Sequence, residues 1–481
     1  MGKSNMLNST IFISIVHVLN IAAVITVIFF QRKESPTRFA WLMVLVFFPI
    51  GGFILYMLFG HNYTRRERLK YCDLAASQLK GYVQMQLDNA GNMDIADERY
   101  VQLVRMNLVN NESVLTGNND IRIFTNGKDK FAALLEDIRN AREYIHLLYF
   151  IFRTDELGLE ILELLAEKAA AGVNVSVVYD DIGNVSVSGL GFRGLRKAGG
   201  KVYRYSPLLT GIVSANYRNH RKLAIIDGKI GYIGGMNIGR EYMEGRGKLV
   251  PWRDTHVRVE GAAVGAMEAV FLGDYVYAAG KKDEIDDLSR FLHPENTFSG
   301  KRMAQILTSS PQIGQYHIHS AYAKMISSAR DYIYIHTPYL VPDGTIMDCL
   351  RMAAASGVDV RIMIPEHPDK RFVYYATLYN ARFLCGLGIK FYRHRGFIHS
   401  KMLVADDQVL SIGSANMDIR SFFLSYEANI LVYDREIAQS QKKQFEADME
   451  DCLVTDIAYF SSLSFPARAM MPVCQLFSPL L

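Results

Sequence analysis

His220-Arg221-Lys222-Leu223-Ala224-Ile225-Ile226-Asp227, followed after a gap by Gly234-Gly235-Met236-Asn237, is one copy of a pattern that occurs twice. The other is His399-Ser400-Lys401-Met402-Leu403-Val404-Ala405-Asp406, followed by Gly413-Ser414-Ala415-Asn416. Every equivalent pair is 179 positions apart, as 399 less 220 gives. With ordinary residue frequencies, six fixed positions recur by chance at roughly one start in 10⁷ or rarer. In an extended strand residues i and i+2 share a face, so His220 goes with Lys222 and His399 with Lys401. The apolar run after each Lys buries the strand. Asp227-Gly228 then reads as a hairpin turn, with Ile230 to Ile233 as the returning strand. Asp406-Asp407 takes that place in the second copy. Gly234-Gly235 and Gly413-Ser414 let the backbone approach a ligand. Asn237 and Asn416 place an amide beside each Lys.

Working outward, strand-like and helical runs alternate in the manner of an α/β fold. Tyr144 to Phe150 reads as a strand, Gly158 to Ala171 as a helix closed by Gly172, and Val173 to Tyr179 as the next strand. The order returns with Tyr332 to His336, a helix after Pro342-Asp343, and Ser356-Gly357-Val358-Asp359-Val360. A duplication this long predicts two homologous halves packed about a pseudo-twofold axis, not a solenoid. We place the halves at 119–300 and 301–451, after a polar connector at 61–118.

The N-terminus differs in kind. Thr10 to Phe30 is apolar except for Ser14, His17 and Asn20, and Phe39 to Phe59 carries no charge. Each run is long enough to cross a hydrocarbon core of about 30 Å as a helix. Residues 1–60 are therefore expected to form a transmembrane hairpin, with Pro49, Gly51 and Gly52 marking a kink or a close helix contact. Lys3, Arg65, Arg66, Arg68 and Lys70 outnumber the Arg32, Lys33 and Arg38 of the loop. The positive-inside rule then puts the bulk of the protein in the cytoplasm. Residues 452–481 form an apolar tail that lies on the membrane interface or docks on the protein.

Half of the 481 residues are hydrophobic and the formal net charge is +4. That suits membrane segments joined to a large globular part, and it is poor preparation for binding nucleic acid. The five scattered cysteines contain no CxxC and read as reduced thiols, not a zinc site or a disulfide framework. No carboxylate-rich cage for magnesium is visible, and we expect no metal or cofactor. His317 and His319 fall in a helix, where i and i+2 diverge, which argues against a metal pair. Trp252-Arg253 either lines a headgroup site or packs in the core.

A phosphodiester suits a pocket built from two such motifs. Two ammonium groups and two amides can hold its non-bridging oxygens, one imidazole can attack phosphorus and the other can protonate the leaving alkoxide.

The paired motifs resemble those of the phospholipase D superfamily over about Asn118 to Asp451. Within it, Asn219-His220-Arg221-Lys222, Asn237-Ile238-Gly239, Glu241-Tyr242, Trp252 to His256, Pro338-Tyr339, Pro342-Asp343, Gly396 to His399 and Asn416 to Phe422 are similar to bacterial cardiolipin synthases. The N-terminal hairpin and the ending Leu476 to Leu481 are similar as well. Arg240 departs from the family, which more often has an acid before Glu-Tyr.

The resemblance implies a multi-pass enzyme of a bacterial cell membrane that takes two phosphatidylglycerols to cardiolipin and glycerol through a phosphatidyl-histidine. By analogy His220 is the nucleophile and His399 the acid, then base; the reverse assignment stays open because the halves are nearly equivalent. His220, Lys222, Asp227, His399, Lys401 and Asp406 are the expected catalytic set, with Asp227 and Asp406 structural or orienting. Asn237, Asn416, Glu241 and Glu427 are the expected binding set. The two glutamates either hydrogen-bond the histidines across the pocket or are ordinary turn carboxylates. A hydrolase, a synthase with another headgroup and a non-catalytic lipid-binding protein remain as rivals, and homo-oligomerisation is open.

Overall fold

The computed structural model describes residues 2–29, 35–56, 83–89, 95, 97–184, 191–205, 217–280, 291, 299–311 and 316–478, with side chains in the first helix from Ser14 on. The first half supplies β1 (Thr116–Phe124), β2 (Tyr144–Tyr149), β3 (Asn174–Asp180), β4 (Lys201–Tyr205), β5 (Arg218–Asn219), β6 (Lys222–Ile226), β7 (Ile230–Gly234), β8 (Trp252–Arg253) and β9 (His256–Gly261). The second supplies β10 (Arg302–Ser309), β11 (Tyr332–His336), β12 (Leu340–Val341), β13 (Asp359–Pro365), β14 (Lys390–His394), β15 (Phe397–Ile398), β16 (Met402–Ala405), β17 (Val409–Gly413), β18 (Met417–Asp418), β19 (Ser425–Tyr433) and β20 (Cys452–Thr455).

One sheet runs β20-β14-β13-β11-β16-β17-β19-β10-β1-β9-β7-β6-β2-β3-β4. Read outward from the antiparallel β1–β10 junction, the order is the same in both directions until β20 adds an extra edge strand. That symmetry is the duplication seen in the sequence. Matching local signals build matching elements. Asp155 and Asp343 cap the helices Glu156–Ala170 and Gly344–Ala355. Gly172 and Gly357 end them at φ 94° and 89°, so that the Val173 and Val358 amides bond back to Lys168 and Ala353.

One core cluster lies between the halves and draws on both, through Ile225, Val257, Ile306, Ile412 and Ile430. Two further clusters lie under the outer helices of each half, one around Leu134 and Ile161, the other around Leu350 and Leu378. The expected connector is partly structural. Its helix Glu98–Asn111 buries Tyr100, Leu103, Val104 and Leu108 in the core of the second half. The expected tail begins as β20, antiparallel to β14, and continues as helices Ile457–Ser462 and Phe465–Leu476.

At the N-terminus, helix Gly2–Phe29 packs on Ser35–Phe47 and Pro49–Leu55 through Ala23, Val27, Trp41, Leu45 and Tyr56. The break at Phe48 precedes Pro49. A side chain at Gly52 would meet the Val44 carbonyl at 2.4 Å, so Gly permits that approach. Among the described residues no helix is long and apolar enough to cross a membrane.

Candidate active site

Each histidine follows a two-residue strand that pairs with the opposite half. Arg218 and Asn219 of β5 lie parallel to Ser425 and Tyr426 of β19, and the His220 amide donates to the Tyr426 carbonyl at 2.9 Å. Phe397 and Ile398 of β15 lie parallel to Trp252 and Arg253 of β8, and the His399 amide donates to the Arg253 carbonyl at 2.7 Å. The next residue of each partner strand carries a buried carboxylate. Glu427 has both oxygens 3.1 Å from His220 Nδ1. Asp254 Oδ2 is 2.7 Å from His399 Nδ1. Each carboxylate therefore fixes the proton on Nδ1 and leaves Nε2 as a free lone pair.

The two sets share one pocket. Lys401 bears electrostatically on His220, and Lys222 on His399. Burial holds both imidazoles at about 4, with the neighbouring carboxylates opposing. At neutral pH both rings are uncharged. Lys222 and Lys401 are buried, and each ammonium donates to the carbonyl of the histidine two residues back. Burial lowers Lys401 to about 8 and Lys222 well below its ordinary value, against the pull of Glu427 and Asp254. A bound phosphodiester anion reverses part of that penalty.

Asn237 donates to the Tyr242 hydroxyl at 2.5 Å and accepts from the Ile151 amide. The Asn416 side-chain oxygen is buried without a hydrogen-bond partner among the described residues. Phe150 packs edge-on to His220, while Tyr242 and Trp252 lie 5.9 and 5.4 Å from His399, ring to ring. Trp252 thus belongs to the pocket wall.

Three expected site residues lie elsewhere. Glu241 does not reach His399; its carboxylate is 3.6 Å from Arg153, because the helix Glu241–Glu244 turns it to the rim. Asp227 and Asp406 sit in the hairpin turns at the far ends of β6 and β16, at φ 51° and 52°. Asp227 accepts from the amides of Arg142, Glu143 and Tyr144 at 2.8–2.9 Å. Asp406 accepts from those of Arg330, Asp331 and Tyr332 and pairs with Arg99 at 2.7 Å. Both pin a turn to the start of the neighbouring strand and touch neither histidine.

Asp254 is the site residue that motif reading missed. It corresponds to Glu427 at an offset of 173 (427 less 254), not 179, because the first half has six extra residues between its Asn and its acid. The signal was an acid directly after the two residues that pair across the halves. A side chain at Gly235 would meet Asp254 Oδ1 at 2.1 Å, so that glycine makes room for the carboxylate. His317 and His319 do not form a pair: His319 bonds Asp343 at 2.9 Å and His317 is separately buried. Among the described residues no group of three or more His, Cys, Asp or Glu is placed to hold a metal ion.

The family described as "Cardiolipin synthase, PLD-like domain" matches residues 134–250 and 322–449, so each matched segment holds one His-x-Lys motif. The "Cardiolipin synthase" of Staphylococcus aureus (strain Mu50) is 40% identical over 99% of this chain and 98% of its own length. The chain belongs to the bacterial cardiolipin synthases of the phospholipase D superfamily. The "Major cardiolipin synthase ClsA" of Bacillus subtilis (strain 168) is likewise 40% identical, over 98% of this chain and 99% of its own. Residues 18–61 match a second family, "Phospholipase_D-nuclease N-terminal". Among solved structures, a phosphatidylserine synthase of Haemophilus influenzae aligns with 79% of the chain and all of its own, at TM-score 0.61 and 16% identity, a likeness of fold. Within the cardiolipin synthase family frame, the doubled PLD-like domain is the palindromic sheet, and the pocket is where its halves exchange strands.

Proposed function

We propose that this enzyme transfers a phosphatidyl group from one phosphatidylglycerol to another, giving cardiolipin and glycerol through a phosphatidyl-histidine. The observation that carries the reading is the pair of neutral imidazoles, each held at Nδ1 by a buried carboxylate and each beside a buried lysine. His220 Nε2 attacks phosphorus as the P–O bond to glycerol breaks, and His399 gives its proton to the leaving oxygen. The primary hydroxyl of the second lipid then loses its proton to His399 and attacks phosphorus, and the N–P bond breaks. His399 takes that first proton from solvent as the substrate enters, since a phosphodiester anion beside it favours the imidazolium that burial disfavours. Lys222, Lys401 and the two asparagines steady the developing charge on the non-bridging oxygens.

The same reading places residues 1–60 as a membrane hairpin in a bacterial cell membrane, with the two halves in the cytoplasm. Its support is the two apolar runs, the excess of flanking Lys and Arg, and the family match at 18–61. The test is product analysis by mass spectrometry after incubation with phosphatidylglycerol vesicles. Cardiolipin with equimolar glycerol is the expected result. Phosphatidic acid alone would make the enzyme a hydrolase, and unchanged lipid would overturn transfer altogether.

A further inference from the structure

The helices Arg371–Cys385 and Phe465–Leu476 pack together and leave an apolar outer surface. The second buries Met471 and Cys474 against the first, and Asn380 donates to Gln475 at 3.0 Å. Its other side is no more polar: Phe465 is 76% exposed and Leu476 73%, with Met470, Val473 and Phe477 beside them. A helix that is apolar on both sides normally has both sides covered. On the first helix Phe372, Tyr379 and Phe383 are exposed at i, i+7 and i+11, which is a single stripe. Phe372 meets Phe477 with ring centroids 6.3 Å apart, so the two stripes are continuous.

The charge on this surface is mainly positive, since Asp369 and Asp456, which stand just ahead of its two segments, are engaged by the Tyr339 hydroxyl and as a helix cap. Residues 370–388 and 457–478 contain Lys370, Arg371, Arg382 and Arg468 and no Asp or Glu. Apolar side chains flanked by an excess of cations match the acyl and headgroup layers of an anionic bilayer. The surface is also fastened to the active site. Leu340 of β12 is held by Thr377 and Asn380 of the helix, and β12 pairs with β18, which starts one residue after Asn416. Asp369, just ahead of the helix, accepts from the Tyr339 hydroxyl at 2.5 Å and bears electrostatically on Lys401.

We propose that this two-helix surface seats on the anionic phospholipid bilayer and sets the pocket mouth against the lipid headgroups, as a contact separate from the N-terminal hairpin. The proposal rests on an enzyme acting on bilayer lipids, and its first test does not depend on activity.

Leu476→Trp, in the full chain reconstituted into phosphatidylglycerol vesicles, is compared with the parent protein, with and without brominated acyl chains. The added emission is expected to lose at least about half its intensity to bromine, as contact with the acyl boundary requires. An added emission that bromine leaves unchanged means a protein surface or water covers the helix, and overturns the proposal. Phe383→Asp with Leu476→Asp supplies the second test. Turnover of bilayer phosphatidylglycerol is expected to fall at least about tenfold while monomeric short-chain phosphatidylglycerol is turned over as before. Equal loss on both substrates, or loss on neither, overturns it.

Discussion

Glu427→Gln tests the strand exchange directly. Glu427 is fully buried, has both oxygens 3.1 Å from His220 Nδ1 and accepts the Ser414 hydroxyl at 2.5 Å. Glutamine keeps the shape and one acceptor but removes the charge. A charge-assisted hydrogen bond contributes about 1–2 kcal/mol more than a neutral one, which is about tenfold in rate if the ring keeps its tautomer. If the amide NH₂ turns toward Nδ1, the proton moves to Nε2 and the attacking lone pair is lost. In serine protease triads that error costs on the order of 10⁴. Burial is the main cause of the low His220 and Lys222 values and Glu427 opposes it, so the variant moves both lower still. A fall of about 10 to 10⁴ in turnover is expected, according to which tautomer the ring takes. The assay is cardiolipin formation in phosphatidylglycerol vesicles, with thermal midpoints measured alongside. Activity within about threefold of the parent at equal stability would refute the assignment of Glu427 as the group that orients His220.

Gly235→Ala places a methyl where Asp254 Oδ1 now lies, so His399 is displaced and turnover should fall about 10²-fold; the same assay with Gly194→Ala, where nothing lies within 4 Å, is the control. Asp227→Ala and Asp406→Ala each release three backbone amides, and Asp406→Ala also removes one of the two ion pairs of Arg99, leaving that with Asp97. Both should lower stability by about 2–4 kcal/mol, Asp406→Ala the more, while the folded fraction keeps its turnover; thermal denaturation in fixed detergent measures this. His220 and His399 titrate at about 4 folded, against 6.5 ordinarily. Between those values the unfolded chain takes up protons that the folded one refuses, so stability falls as pH drops from 6.5 toward 4, by up to about 3 kcal/mol per histidine. The double variant His220→Asn with His399→Asn should therefore lose less of its thermal midpoint than the parent between pH 7 and pH 5, and an equal loss would count against buried neutral histidines.

The sequence by itself determined the duplication, the family and most of the residues gathered at the candidate site. His220, Lys222 and Asn237, with His399, Lys401 and Asn416, stand close along the chain, and a strand's period of two fixes their relation locally. The hairpin turn at Asp227-Gly228 and the helix end at Gly172 are local for the same reason, and they lie where the residues predict. The tertiary structure decided which carboxylates serve the histidines. β5 pairs with β19 and β8 with β15, so Glu427 and Asp254 arrive from the opposite half. Glu241 and Asp227, which lie near the first motif along the chain, are instead a rim ion pair and a turn anchor. Strand pairing between segments more than 140 residues apart, as Arg253 and Ile398 are, depends on how two sheets twist and close on one another. No local periodicity records that register.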